Sequence, residues 1–152
     1  MTVRKVAKED LEGLKTVIKS SGLFPPESLE EMSSDYFENP ETEDIWLTAV
    51  EGEKRLAIAY CAPEKFTEGT YNLYAIGVLQ ESQGKGIGGK VMAYLEDYLR
   101  NGQGRLLIVE TSGSEQFHLT RKFYADLGYN HEATIREFWQ EGEDKVIFWK
   151  KL

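Results

Sequence analysis

Cysteine, histidine and long apolar runs are all scarce in this sequence of 152 residues, and each scarcity excludes a class of protein. Cys61 is the only cysteine, so the chain can form neither an internal disulfide nor a multi-cysteine metal site. The two histidines, His118 and His131, have no third ligand at metal spacing. No apolar run approaches the ~20 residues of a membrane-spanning helix. We therefore expect no bound metal and no membrane partner.

Basic residues are also in the minority, with 18 Lys and Arg against 26 Asp and Glu and a formal net charge of -8 at pH 7. An acidic surface repels phosphate backbones, so we expect no nucleic-acid partner. It attracts cations instead, among them protonated amines. The N-terminal segment MTVRKVAKEDLEGLK is charged from its fourth residue and lacks the apolar core of a signal peptide. Together with the single cysteine, this predicts a cytoplasmic protein.

The length and the hydrophobic content of 41% fit a single domain over residues 1–152. Apolar runs of strand type predict strands at 2–6, 45–50, 56–62, 71–78, 105–111, 129–138 and 145–149. Apolar residues at helical spacing predict helices at 10–20, 25–38, 87–100 and 119–127. The order βααβββαβαββ predicts a mixed α/β fold, antiparallel at both ends with a parallel crossover in the middle. The nearly continuous apolar run RLLIVET at 105–111 predicts a strand covered on both faces.

Four glycines, Gly84, Gly86, Gly88 and Gly89, lie between a predicted strand and a predicted helix. Glycines there let the backbone approach a ligand and point several N–H groups into one concavity. The positive end of the following helix dipole suits a pyrophosphate. The alternative is a tight turn whose glycines serve packing alone.

Two other phosphate-binding patterns compete for this loop. A Walker loop fails because Lys85 precedes Gly86 and the upstream glycine is absent. The dinucleotide pattern G-x-G-x-x-G does match, and Glu110 ends the next strand as a ribose-binding acid does. It is disfavoured because residues 79–83 separate the strand from the first glycine and because the chain is short for a dinucleotide half plus a substrate half.

One family matches these features in order. Gln83-x-x-Gly86-x-Gly88 resembles the Q/R-x-x-G-x-G/A signature of the GNAT superfamily of N-acyltransferases, and the segments 73–78 and 123–129 resemble its two companion motifs. The resemblance covers the whole chain. It implies a GNAT-like, mostly antiparallel sheet with helices on both faces. It also implies acetyl-CoA as co-substrate, direct acetyl transfer to a primary amine of a small molecule or of a peptide or protein N-terminus, and a possible homodimer.

The resemblance also assigns cofactor-binding residues. It implies that backbone groups of Ile76, Gly77 and Val78 pair with the pantetheine arm as an added strand would. It implies that the pyrophosphate lies against the loop, chiefly against its backbone amides. The residues of the loop are Gln83, Gly84, Lys85, Gly86, Ile87, Gly88 and Gly89.

By the same resemblance Tyr124 donates a proton to the leaving sulfur, and Glu110 is the base, as in ribosomal-protein N-terminal acetyltransferases. The alternatives are that Tyr124 is a packing aromatic and that Glu110 is a strand-terminal acid satisfied by its neighbours. Asn72 stands where histone-type enzymes carry their base, and an amide cannot act as one.

The acceptor is expected beside the two early helices and the 138–144 segment, with Phe24, Glu137, Trp139 and Asp144 as candidate lining residues. A non-catalytic acyl-CoA-binding sensor or interaction module on the same fold remains the alternative function.

Overall fold

The computed structural model describes residues 1–152, and its seven strands form one sheet. The strands are β1 (Thr2–Lys5), β2 (Ile45–Glu51), β3 (Lys54–Pro63), β4 (Thr70–Val78), β5 (Leu106–Ser112), β6 (Asn130–Gln140) and β7 (Glu143–Lys151). Their order across the sheet is β1-β2-β3-β4-β5-β7-β6. Only the β4–β5 pair is parallel, so the predicted parallel crossover in a mostly antiparallel sheet is confirmed.

The helices are α1 (Leu11–Ser21), α2 (Leu29–Met32), α3 (Ser34–Glu38), α4 (Ile87–Asn101) and α5 (His118–Asp126). The second predicted helix is therefore split in two, and the split falls at Ser33. The hydroxyl of Ser33 donates to the carbonyl of Leu29 at 2.7 Å, a side-chain bond that competes with the helical ladder and bends helices. None of the helices is long and apolar enough to cross a bilayer.

Burial differs between the two halves of the sheet. Residues 45–49 of β2 and 56–59 of β3 are all buried, so both faces are covered there. α1 packs on β3 and β4, and α4 packs across β1 to β4. In β5 the buried Leu107 and Val109 alternate with half-buried Leu106, Ile108 and Glu110. The prediction that this strand is covered on both faces is therefore wrong, because no helix fully covers its second face.

The sheet forks between β4 and β5. Their pairing runs from Thr70–Leu106 to Leu73–Val109 and stops there. The register of β4 with β3 shifts at the next residue, because Tyr60 pairs with Ala75 and Cys61 with Leu73. Tyr74 is thus an extra residue, a bulge that bends β4 away from β5. The rest of β4 pairs with β3 alone.

Candidate active site

A cleft of about 540 Å³ opens at this fork. It is bounded by the end of β4, the glycine loop, the first turn of α4 and one side of α5. It brings together most of the predicted cofactor-binding residues with Tyr124. Its lining residues are Ser21, Ile76, Gly77, Val78, Ser82, Gln83, Gly84, Gly86, Ile87, Gly88, Gly89, Leu119, Thr120, Phe123 and Tyr124. Lys85 belongs to the loop but lies outside the lining, with an exposed side chain.

The backbone N–H groups of the loop are free. None of those from Gly84 through Gly89 donates a hydrogen bond within the protein, and the first loop-to-helix bond runs from Lys90 N to Gly86 O at 3.2 Å. The last of these amides belong to the first turn of α4, where no intrahelical acceptor exists. The loop therefore presents a continuous row of unpartnered donors at the positive end of a 15-residue helix.

Two glycines give the loop its shape. Gly84 has φ +78° and Gly86 has φ +80°, a left-handed conformation that other residues adopt only with strain. Glycines in this conformation let successive N–H groups point toward one side of a turn, which is the geometry of an anion-binding concavity. No protein atom lies within 4 Å of a Cβ added at either position, so the requirement for glycine comes from the backbone rather than from packing.

Gln83 holds the loop onto the sheet. Its side-chain Nε2 donates to the carbonyl of Val78 at 3.1 Å, and its own backbone N–H donates to Gln80 O at 3.3 Å. The amide of Gln83 is thus already engaged, unlike those that follow it. The structure gives this residue a positioning contact between the end of β4 and the glycine loop.

The end of β4 presents backbone groups to the fork. Leu79 N donates to Leu56 O at 2.8 Å, so Gly77, which pairs with Ile58, also directs its peptide groups toward β3. Because the peptide groups of successive residues in a strand point in alternate directions, Ile76 and Val78 direct their N–H and C=O groups to the opposite side, where β5 has diverged. A ligand that extends along this side would meet an exposed strand edge.

Tyr124 lies deep in the cleft, with only 3% of its surface exposed. Burial raises the pKa of its hydroxyl well above the ordinary value, so the phenol is protonated at neutral pH. The ring packs against Phe123, Tyr129 and Phe148 at centroid distances of 5.2, 5.9 and 5.6 Å. The hydroxyl has no hydrogen-bond partner in the protein, and Tyr124 is one of the lining residues of the cleft.

Glu110 stands at the fork but outside the cleft lining. It is the first residue of β5 beyond the last β4–β5 pair. Its Oε1 lies 2.7 Å from Nζ of Lys145, and its Oε2 accepts a bond from Asn72 Nδ2 at 3.2 Å. Both of its carboxylate oxygens are therefore engaged with neighbouring side chains.

Of the residues expected to line the acceptor site, Trp139 bonds to β5 through its side chain, because its Nε1 donates to Thr111 O at 3.4 Å. Glu137 and Asp144 bond to each other within the β6–β7 hairpin, because Asp144 Oδ1 accepts from Glu137 N at 2.9 Å. Phe24 packs against the core. The role of all four in acceptor binding stays a prediction.

Sequence reasoning missed two sets of residues. Ser21, Leu119, Thr120 and Phe123 line the cleft because α1 and α5 border it, a non-local arrangement. Glu64 and Tyr74 join Asn72 and Glu110 in one hydrogen-bonded cluster. A Tyr in the middle of β4 and a Glu one residue past the end of β3 carry no local signal of such a cluster.

Comparisons with known proteins bear on the family and on the fold. The family model described as "Acetyltransferase (GNAT) family" matches residues 14–129 of this chain. A GNAT-family protein from Desulfovibrio desulfuricans superimposes with a TM-score of 0.91 at 30% identity, over 99% of this chain and 98% of that one. An aminoglycoside 6'-N-acetyltransferase solved with coenzyme A gives a TM-score of 0.79 at 16% identity over 99% and 97% of the two chains, a likeness of fold alone.

The curated proteins include a shorter match. An uncharacterised N-acetyltransferase of Methanocaldococcus jannaschii is 29% identical over 84 residues, which are 55% of this chain and 53% of that protein. The chain thus spans about half the length of this relative. The predicted resemblance and the predicted fold class are confirmed by the family match and by the full-length structural match.

Proposed function

The chain belongs to the acetyltransferase (GNAT) family, and on that premise we propose that it transfers the acetyl group of acetyl-CoA directly to a primary amine. The acceptor is a small molecule or the N-terminus of a peptide or protein. The observation that carries the proposal is the row of unpartnered amides from Gly84 through Gly89 at the start of α4, next to a cleft that contains Tyr124.

The loop supports binding of the substrate's pyrophosphate. Two linked phosphates provide acceptors for several N–H donors at once, and the positive end of the α4 dipole favours their negative charge. Ile76 and Val78 support binding of the pantetheine arm, whose amides can pair with the free edge of β4. This fit concerns backbone groups, so it depends little on the side chain of Lys85.

The proton transfers are assigned to two side chains. Glu110 accepts one proton from the ammonium form of the acceptor. The neutral nitrogen bonds to the acetyl carbonyl carbon, while a backbone N–H on the free edge of β4 donates to the developing oxyanion. As the C–S bond breaks, Tyr124 donates its proton to the departing sulfur. The nitrogen loses its second proton through solvent, which restores Tyr124.

The acceptor's own pKa sets how much work the base must do. A lysine-like amine with a pKa near ~10.4 costs about 4–5 kcal/mol to deprotonate at pH 7, whereas an α-amine near ~8 costs about 1 kcal/mol. Both carboxylate oxygens of Glu110 are engaged by Lys145 and Asn72, so neither can take up the acceptor's proton without giving up a contact. This favours acceptors whose amine has the lower pKa.

The test is release of CoA thiol from acetyl-CoA with a panel of primary amines, against the rate without an amine. The panel contains α-amines of short peptides and amino sugars, and mass spectrometry of the product checks for the added acetyl group. We expect at least one acceptor to be acetylated with saturation kinetics. Acetyl-CoA binding without turnover of any acceptor would contradict the enzymatic proposal and favour the acyl-CoA sensor.

A further inference from the structure

A hydrogen-bonded cluster of polar side chains lies at the fork, next to the cleft but outside its lining. Asn72 stands at its centre and is 3% exposed. Its Nδ2 donates to Glu64 Oε1 at 2.8 Å and to Glu110 Oε2 at 3.2 Å. The hydroxyl of Tyr74 donates to the same Oε1 of Glu64 at 3.1 Å. The backbone holds Glu64 in place, because its N–H donates to Thr70 O at 2.8 Å.

The two carboxylates of this cluster differ in charge compensation. Glu110 forms an ion pair with Lys145, whose side chain is only 11% exposed. Glu64 forms no ion pair with any lysine, arginine or histidine of the chain. Its second oxygen, Oε2, accepts no hydrogen bond. Glu64 therefore carries an unbalanced negative charge and a free acceptor atom at the fork.

An aromatic surface stands beside this free carboxylate oxygen. Tyr74 is 52% exposed and stacks on Tyr60 at 5.4 Å, and Tyr60 stacks on the buried Trp46 at 4.2 Å. The stack fixes the ring of Tyr74 from one side and leaves its other side to solvent. Burial and the bond to Glu64 raise the pKa of Tyr74 to about 12, so its hydroxyl continues to donate to Glu64 at neutral pH.

The position of the cluster relates it to the reaction. Tyr74 and Glu110 are the first residues of β4 and β5 past the last β4–β5 pair, Leu73–Val109. Beyond them β4 continues to Ile76 and Val78, which line the cleft. A group held between Glu64 and Tyr74 therefore lies at the mouth of the fork, beside the strand whose later residues line the cleft.

We propose that Glu64 and Tyr74 form the binding site for the ammonium group of the acceptor, with the free Glu64 carboxylate oxygen as ion-pair partner and the Tyr74 ring as the wall beside it. The inference deepens the proposed acetyl transfer and rests on it. It names the acceptor class: a primary alkyl ammonium ion whose carbon substituent lies against an aromatic face. A carboxylate and a tyrosine ring both attract such a cation. Glu64 acts in binding and specificity, and Glu110 stays the proposed base.

The experiment compares Glu64→Gln with Glu68→Gln, which removes the same charge from an exposed residue of the same β3–β4 connection. Glutamine at 64 can still accept bonds from Asn72 and Tyr74. The acceptors are 2-phenylethylamine, which is cationic at pH 7, and aniline, which is neutral. For Glu64→Gln we expect the KM for 2-phenylethylamine to rise at least tenfold, kcat to change less than threefold, and the KM for aniline to stay unchanged. A merely structural role would affect both acceptors equally.

A binding measurement keeps the inference separate from the enzymatic proposal. The side-chain amide resonances of Asn72 report on Glu64 directly, since the two side chains share a hydrogen bond. With the CoA-loaded protein, 2-phenylethylammonium chloride should shift these resonances in a saturable manner in the parent protein and in Glu68→Gln, but not in Glu64→Gln. If no amine is turned over but this shift appears, the acetyl transfer fails and the ammonium site stands. No saturable shift, or the same shift in Glu64→Gln, overturns the inference.

Discussion

Tyr124 shows how a side chain can be held in place by contacts that leave its hydroxyl without a protein partner. Three aromatic neighbours, Phe123, Tyr129 and Phe148, contact its ring. No protein group bonds to its hydroxyl. A neighbouring tyrosine behaves differently, because the hydroxyl of Tyr129 donates to the buried Glu96 at 2.7 Å. Tyr129 is engaged in a structural bond, whereas the hydroxyl of Tyr124 has no protein partner.

Replacing Tyr124 with Phe should therefore separate catalysis from stability. The change removes only an atom without protein partners, so we expect the free energy of unfolding to change by less than about 1 kcal/mol. Loss of a general acid lowers kcat by about 10²–10⁴-fold. Affinity for acetyl-CoA should be unaltered. Steady-state kinetics, calorimetric titration and urea unfolding measure the three quantities.

The matched control is Tyr94→Phe, a change at an exposed tyrosine of α4 that lies outside the cleft lining. It should leave kcat unaltered. A Tyr124→Phe variant with full kcat would remove the proposed acid from the reaction.

The sequence predicts roles for residues in local motifs but not for residues that are brought together only by strand pairing. Tyr124 and the loop glycines stand in short motifs whose spacing is local, so pattern matching finds them. Glu64, Asn72 and Glu110 meet only because β3, β4 and β5 pair in a particular register. A shift of one residue would place these side chains on the other face of the sheet, and periodicity alone does not determine the register.

Among the secondary-structure elements, the fork between β4 and β5 decides where a ligand can bind. The alternation and composition of both strands predict their existence and bounds well. The resemblance implies an open strand edge at residues 76–78, but the sequence does not indicate where β4 leaves β5, because the bulge falls at Tyr74, an ordinary strand residue, rather than at a glycine or proline. The second face of β5 is left partly open by the same arrangement. That open face receives the polar cluster around Asn72.

A buried carboxylate connects β1 and β3 with the start of α1, at the β1 end of the sheet. The side chain of Asp10, immediately before α1, has no exposed surface. It accepts two bonds from Arg4 of β1 at 2.7 and 2.9 Å and one from Arg55 of β3 at 2.8 Å. The N–H of Ala7 donates to it at 2.7 Å. These bonds, that from Arg4 first, hold the pKa of Asp10 well below its ordinary value.

Replacing Asp10 with Asn should destabilise the fold by about 3 kcal/mol at pH 7, because it leaves two guanidinium groups without their carboxylate. A depressed pKa in the folded state stabilises the protein above the unfolded-state pKa of about 3.9, and the contribution is lost as the pH falls below that value. From about pH 5 down to the lowest pH at which the protein stays folded, the variant's free energy of unfolding should therefore depend less on pH than that of the parent. Urea unfolding across this pH range measures both effects.

Glu9→Gln is the control for this prediction, since Glu9 is exposed and forms no ion pair. It should unfold at nearly the parent's urea midpoint. Equal midpoints for Asp10→Asn and the parent at pH 7 would show that the triad does not stabilise the fold.

Across the whole molecule, two kinds of charge are placed on either side of the fork. The free amides and the positive end of α4 lie at the glycine loop, and the unbalanced carboxylate of Glu64 lies at the mouth of the fork. The net charge of -8 favours approach of a cationic amine but not of an anionic cofactor. Binding of the cofactor must therefore depend on the short-range donors of the loop. The succession of elements was predictable because long periodic segments set it, whereas this separation of charge emerges only when the sheet is assembled.

The most direct test of the account follows the backbone amides of Gly84 through Gly89 by ¹⁵N-resolved NMR. The protein is titrated with CoA and, separately, with pantetheine, which lacks the pyrophosphate. If these amides bind two linked phosphates, their proton resonances move strongly downfield with CoA and little with pantetheine, while those of Ile76 and Val78 respond to both. CoA binding that leaves the resonances of Gly84 through Gly89 in place would contradict the central claim.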